Sequence, residues 1–212
     1  MPNAPYSNRY VQAKKMKKQI AINIIIIIIL FSSCENKSVN SLKNNYDENS
    51  KEIIELKEHF DKIVSENFIV RIQFNSSNNI DLFVYEKVKN STNRNEIFSE
   101  WNVNLDNPKE LTSLDFVNKK LNWDRESFKE LYEKIGNANC IGISNRNPVE
   151  IEYGFMGMGL LSYLVLDNNL TDKEGEAFSD DCMQMFYKDN IVLKYGSGAT
   201  GSLCTHEFKR KK

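Results

Sequence analysis

The chain has 212 residues, 41% of them hydrophobic and 27% charged, a composition that excludes disordered, collagenous and multi-span membrane classes. Nine glycines and four prolines leave little scope for extended low-complexity structure, and the length suits one domain with appendages. The net charge of −1 conceals an asymmetry: residues 1–34 hold five basic side chains and no acid, leaving 23 basic against 29 acidic residues in the remainder, a net of −6. A body of that sign argues against nucleic-acid binding, which needs a basic face.

Ile20 to Phe31 (IAINIIIIIILF) is an almost purely apolar run of 12 residues. A helix needs about 20 such residues to cross a bilayer core, so the run is too short for a span and suits the apolar region of a signal peptide. Lys14, Lys15, Lys17 and Lys18 supply the basic region before it. Phe31-Ser32-Ser33-Cys34 follows, with small residues ahead of a cysteine. Over residues 16–34 the chain resembles a bacterial lipoprotein signal, in the FSSC form common in Bacteroidetes. The resemblance implies that residues 1–33 are removed and that Cys34 is acylated, with palmitate among its chains. The protein is then anchored in the cell envelope by lipid alone. Glu35 is not the Asp that retains such proteins at the inner membrane of enteric bacteria, which points to the outer membrane. Met16-Lys17-Lys18 opens a compact signal, so translation is expected to start at Met16.

Glu35 to Ser50 is polar and lacks an apolar period. With Cys34 it is expected to form a flexible tether over residues 34–50, ahead of a single globular domain over 51–212. Ile53, Leu56, Phe60, Ile63 and Val64 recur at helical spacing, with Asn49 and Glu52 as a capping box. Alternation at Phe68–Phe74, Ile80–Val84 and Ile97–Leu105 predicts three strands. Asn107-Pro108-Lys109-Glu110 opens a helix with the stripe Leu111, Leu114, Val117, Leu121. Asp124 caps another, with Trp123 and Phe128 as a hydrophobic staple, the stripe Phe128, Leu131, Tyr132, Ile135, and Gly136 as terminator. Further strands are expected at Cys140–Ser144, Val149–Phe155, Leu160–Leu166, Met183–Tyr187, Ile191–Tyr195 and Leu203–Phe208, with Lys188-Asp189-Asn190 as a hairpin turn. The fold class is α+β: a mainly antiparallel sheet, an N-terminal helix and a central pair of helices.

Motifs for chemistry are few. Gly196-Ser197-Gly198-Ala199-Thr200-Gly201 spells GxGxxG, but the 11 residues after it hold no βαβ unit, so it reads as a turn or bulge. No CxxC is present and His59 and His206 are the only histidines, so neither a zinc site nor another cofactor is expected. Cys204 and His206 lie too far apart along a strand for a nucleophile pair. Asp172, Glu174, Glu176, Asp180 and Asp181 lack calcium-loop spacing and read as a solvated loop. Met156-Gly157-Met158-Gly159 reads as a bulged junction with methionines in the core. In an exported domain a disulfide is expected, and Cys182 and Cys204 bracket a hairpin, leaving Cys140 buried. The stretch Cys140–Cys204 also resembles Bacteroidetes lipoproteins to which no activity is attached. The functional expectation is a membrane-anchored, non-enzymatic binding module of immunity or accessory type, for an envelope protein or small ligand. Its rival is an envelope hydrolase whose carboxylates, or Cys140, converge only in the fold.

Overall fold

The structure, a computed structural model, describes residues 38–88, 93–179 and 183–196. In chain order these form α1 (Val39–Ile63), β1 (Phe68–Ser76), β2 (Asn79–Lys87), β3 (Arg94–Asn104), α2 (Pro108–Leu121), α3 (Arg125–Asn137), β4 (Gly142–Ser144), β5 (Val149–Met156), β6 (Gly159–Val165), α4 (Asp172–Ala177), β7 (Gln184–Lys188) and β8 (Ile191–Gly196). One eight-stranded sheet has the order β3-β2-β1-β4-β5-β6-β8-β7, and every neighbouring pair is antiparallel. The α+β expectation, with its N-terminal helix and central helix pair, is what the chain adopts.

Strand alternation sorts side chains between two faces. On the first face a single cross-strand row runs Leu82, Ile72, Ile143, Ile151, Tyr163, Leu193, Met185. Leu42, Ile53, Leu56 and Phe60 of α1 share this apolar core, as do Leu131 and Ile135 of α3. Tyr163 fixes α1 to the sheet: its hydroxyl donates to the Leu42 carbonyl at 2.7 Å and accepts from Asn45 Nδ2 at 3.0 Å. Asn45 Nδ2 also donates to the Ala138 carbonyl at 3.1 Å. That network leaves few buried polar atoms unmatched at the centre of the core.

Helix starts follow their caps. Asp124 Oδ1 accepts from the Ser127 amide at 2.8 Å while the Asp124 amide donates to Ser127 Oγ at 3.2 Å, and Trp123 meets Phe128 edge-on with centroids 5.4 Å apart. Asn107 Oδ1 accepts from the Lys109 amide at 3.1 Å, with Pro108 as the first helical residue. Lys188-Asp189-Asn190 is the turn between β7 and β8, with Asp189 at φ 53°.

Several expectations are corrected. The segment 39–50 is not a tether: it is the first part of α1 and buries Val39, Leu42, Asn45 and Tyr46. The packed body therefore includes residues 39–50, ahead of the expected boundary at residue 51. A polar surface hid the helix, whose apolar contacts come at only three positions among Asn, Ser and Lys. The cap is Ser38 with Ser41, not Asn49 with Glu52. Asn49 instead marks a kink (φ −125°, ψ 25°), where its side chain donates to the Asn45 carbonyl at 3.2 Å and competes with the helix ladder. Gly136 does not end α3, which runs on to Asn137 with Ala138 as its cap. Tyr132 is 40% exposed rather than part of the buried stripe. Asp172 to Ala177 of the acidic segment is the short helix α4, capped by Thr171. Cys34, Cys182, Cys204, His206, the strand at Leu203–Phe208 and the glycine motif beyond Gly196 lie outside the described residues. Among the described residues, no helix is long and apolar enough to cross a membrane.

Candidate functional site

The second face of the sheet carries polar residues where an alternating strand next to a core would carry apolar ones. One row runs Asp81, Gln73, Gly142, Glu152, Ser162, Lys194, Gln184 across seven strands. The row beside it runs Phe83, Arg71, Ser144, Glu150, Leu164, Val192, Phe186. Asp81, Gln73, Ser144, Glu150, Glu152 and Ser162 are all buried. Buried polar groups are costly unless matched, and most of these are matched in pairs.

Arg71 reaches diagonally over β4 to Glu152, which is 2% exposed. Its Nε lies 2.5 Å from Oε1 and its Nη2 3.2 Å from Oε2, and Nη2 also donates to Gln73 Oε1 at 3.2 Å. The guanidinium stacks over Phe83 at 5.4 Å, and Phe83 meets the exposed Trp101 edge-on at 4.8 Å. Lys194 Nζ lies 2.9 Å from both oxygens of Glu150. Ser162 Oγ donates to Glu150 Oε1 at 2.8 Å. Ser144, between Arg71 and Glu150 in its row, is 1% exposed and its Oγ has no hydrogen-bond partner among the described residues.

These groups line a concavity of about 310 Å³, bounded by Arg71, Ser144, Arg146, Glu150, Glu152, Phe155, Met158, Leu160, Lys194 and Gly196. Arg146 sits on the turn from β4 to β5, held in place by its neighbour Asn145. The Asn145 side chain accepts from the Val70 amide at 2.7 Å and donates to the Phe68 carbonyl at 2.9 Å. The opposite wall is the β5–β6 hairpin. Gly157 takes φ +60° at its tip, and a Cβ on Gly159 would lie 2.2 Å from the Tyr195 ring. Those two glycines set the hairpin so that Phe155 (53% exposed) and Met158 (62% exposed) stand at the rim. Met158 is thus not the core residue expected of a strand junction.

Burial pushes the Glu152 carboxyl above its ordinary range, against the pull of Arg71. Burial is the largest single influence on Arg71 and works against its charge, but the Glu152 hydrogen bonds together with the negative charges of Glu152, Glu150 and Asp81 hold the guanidinium above its ordinary value. The pair is therefore mutually dependent: either ion alone would be stranded in a poorly solvated site. A second concavity, about 280 Å³ at the start of α3, is crossed by the Arg125–Asp106 ion pair and by Asn78 Nδ2 donating to Asp106 Oδ2 at 2.8 Å.

Of the residues that sequence motifs singled out, Met158 and Gly196 line this concavity, whereas Cys140, His59 and Glu174 lie elsewhere. Cys140 is buried under α1, its thiol donating to the Ala138 carbonyl at 3.3 Å. His59 lies between α1 and α3, its Nδ1 3.4 Å from Glu130. Glu174 serves the cap of α4, accepting from Thr171. The site was signalled instead by alternation: VEIEY at 149–153 and VRIQF at 70–74 place charged or amide side chains at every second position of interior strands. Comparison of the chain with protein-family models, with curated proteins and with solved structures returns no match.

Proposed function

We propose that the chain is a cell-envelope lipoprotein, anchored through acyl groups on Cys34, whose domain is a non-enzymatic binding module of immunity or accessory type. The observation that supports binding over catalysis is the pairing within the concavity. Glu152 is bonded to Arg71, and Glu150 to Lys194 and Ser162, so neither carboxylate can turn to a substrate without giving up a partner within the domain. What remains is a recess with charged walls and an apolar rim, more polar than most small-molecule pockets. The ligand is a small envelope molecule or a segment of an envelope protein, and the membrane contact is the lipid. The signal sequence supports the outer membrane. Metabolic labelling with a fatty-acid analogue tests the anchor: label on the wild type and none on Cys34→Ala is expected, and label surviving that substitution would sink it. A Cys182–Cys204 disulfide belongs to the same exported protein, and non-reducing peptide mapping tests it.

One observation favours an envelope hydrolase. Glu150 and Glu152 share a face of β5 two residues apart, so about 7 Å at strand rise, within the span of acid–base carboxylate pairs. Turnover of an envelope ester or glycan, lost in Glu150→Gln with the fold intact, would establish that reading. Ligand retention without turnover would exclude it.

A further inference from the structure

We infer that the concavity on the second face is an oxyanion subsite with an apolar wall, taking a ligand that joins a carboxylate or phosphate group to an apolar chain. The inference rests on the binding-module reading and names its ligand class. Its basis is a count of hydrogen-bond donors. Arg71 spends Nε and Nη2 on Glu152 and Gln73, so both N–H groups of Nη1 have no acceptor among the described residues. Among the described residues Lys194 directs Nζ at one carboxylate, and an ammonium has three N–H donors. Arg146 is exposed on the rim and takes no acceptor among the described residues. Beneath them lies the unpartnered Ser144 hydroxyl.

These four residues converge on one recess, where the three cations outnumber the two carboxylates and each carboxylate is already ion-paired. A ligand cation would face three positive side chains with no unpaired acid among the described lining residues to receive it. A neutral ligand would leave the charged donors without the acceptor that suits them. An oxyanion supplies several lone pairs to charged donors, the strongest class of hydrogen bond available. The other wall decides the rest of the ligand: Phe155 and Met158 stand exposed beside the donors, and methionine adapts to chains of varied shape.

The test is titration calorimetry of the full chain with sodium octanoate, octyl phosphate, acetate and octyl glucoside. Saturable binding of octanoate or octyl phosphate is expected, with acetate at least about tenfold weaker for want of an apolar contact. Arg146→Ala, an exposed position, should weaken the octyl anion about tenfold. Phe155→Ser should weaken it severalfold. Competition by phosphatidylglycerol vesicles, lost in Arg146→Ala, would support the subsite with a lipid headgroup as its source. Failure of vesicles to compete while octanoate binds would support it with a soluble acid as the source. Absence of saturable binding by both octyl anions overturns the inference. Octyl glucoside binding equally to wild type and Arg146→Ala would overturn the oxyanion assignment and leave the binding module standing. Failure of every probe and of envelope extract to bind removes both.

Discussion

Arg71 and Glu152 meet over the backbone of β4 because Gly142, lying between their strands, has no side chain. Gly142 pairs with Gln73 on one side and Glu152 on the other. A Cβ there would lie 2.7 Å from the Ile72 carbonyl oxygen and 2.8 Å from Glu152 Oε2. The glycine is thus what lets a bidentate ion pair cross a three-residue strand at the centre of the sheet.

Gly142→Ala is expected to destabilise the domain by roughly 1–3 kcal/mol, the usual cost of overpacking, since the backbone carbonyl of Ile72 cannot swing aside as a side chain could. Denaturant unfolding measures it. A midpoint equal to wild type would show that β4 can shift, and that the ion pair does not depend on this glycine.

Asp124→Ala should lower the thermal midpoint, because the amides of the first turn of α3 lose their acceptor. Ser127 holds the Asp124 carboxyl below the usual carboxylate range through backbone and side-chain hydrogen bonds. Asp124→Ser, which keeps a capping oxygen, should recover most of the loss. Equal midpoints for the alanine and serine variants would argue that the staple of Trp123 and Phe128 alone sets the helix start.

Acidification should weaken the fold through His59. Burial holds its imidazole below the ordinary value of 6.5; Glu130 opposes this, and Lys134 and Lys62 add to it. Its Nε2 is buried without a partner among the described residues. Below pH 6.5 the unfolded chain takes up a proton that the folded state takes up only at lower pH, so stability falls across that window and the decline stops at the folded pKa. In His59→Gln the contribution disappears. A pH–stability slope between pH 6.5 and 5 that is identical in both proteins would contradict this assignment.

Elements with strong local signals were legible in the sequence. Pro108 after Asn107, Asp124 before a helical stripe, and the alternations at Phe68–Phe74 and Val149–Phe155 each specify a segment from its own residues. The start of α1 was not, because its buried residues meet partners far away in the chain: Tyr163 of β6 and Ala138 after α3 bond Leu42 and Asn45, and Tyr163 and Tyr187 pack against Tyr46. The site was half legible. Alternation marks Arg71, Gln73, Glu150 and Glu152 as facing one way, but their strands are separated by more than 60 residues of chain. Only the pairing of β4 with both β1 and β5 joins them.

The most direct measurement of the binding role is hydrogen exchange on the acylated protein, with and without solubilised envelope extract. Slowed exchange over the β5–β6 hairpin (149–165), the β4–β5 turn holding Arg146, and β8 is the expected result, diminished in Arg146→Ala. Unchanged exchange across those segments, with protection elsewhere or nowhere, would contradict a ligand site on this face.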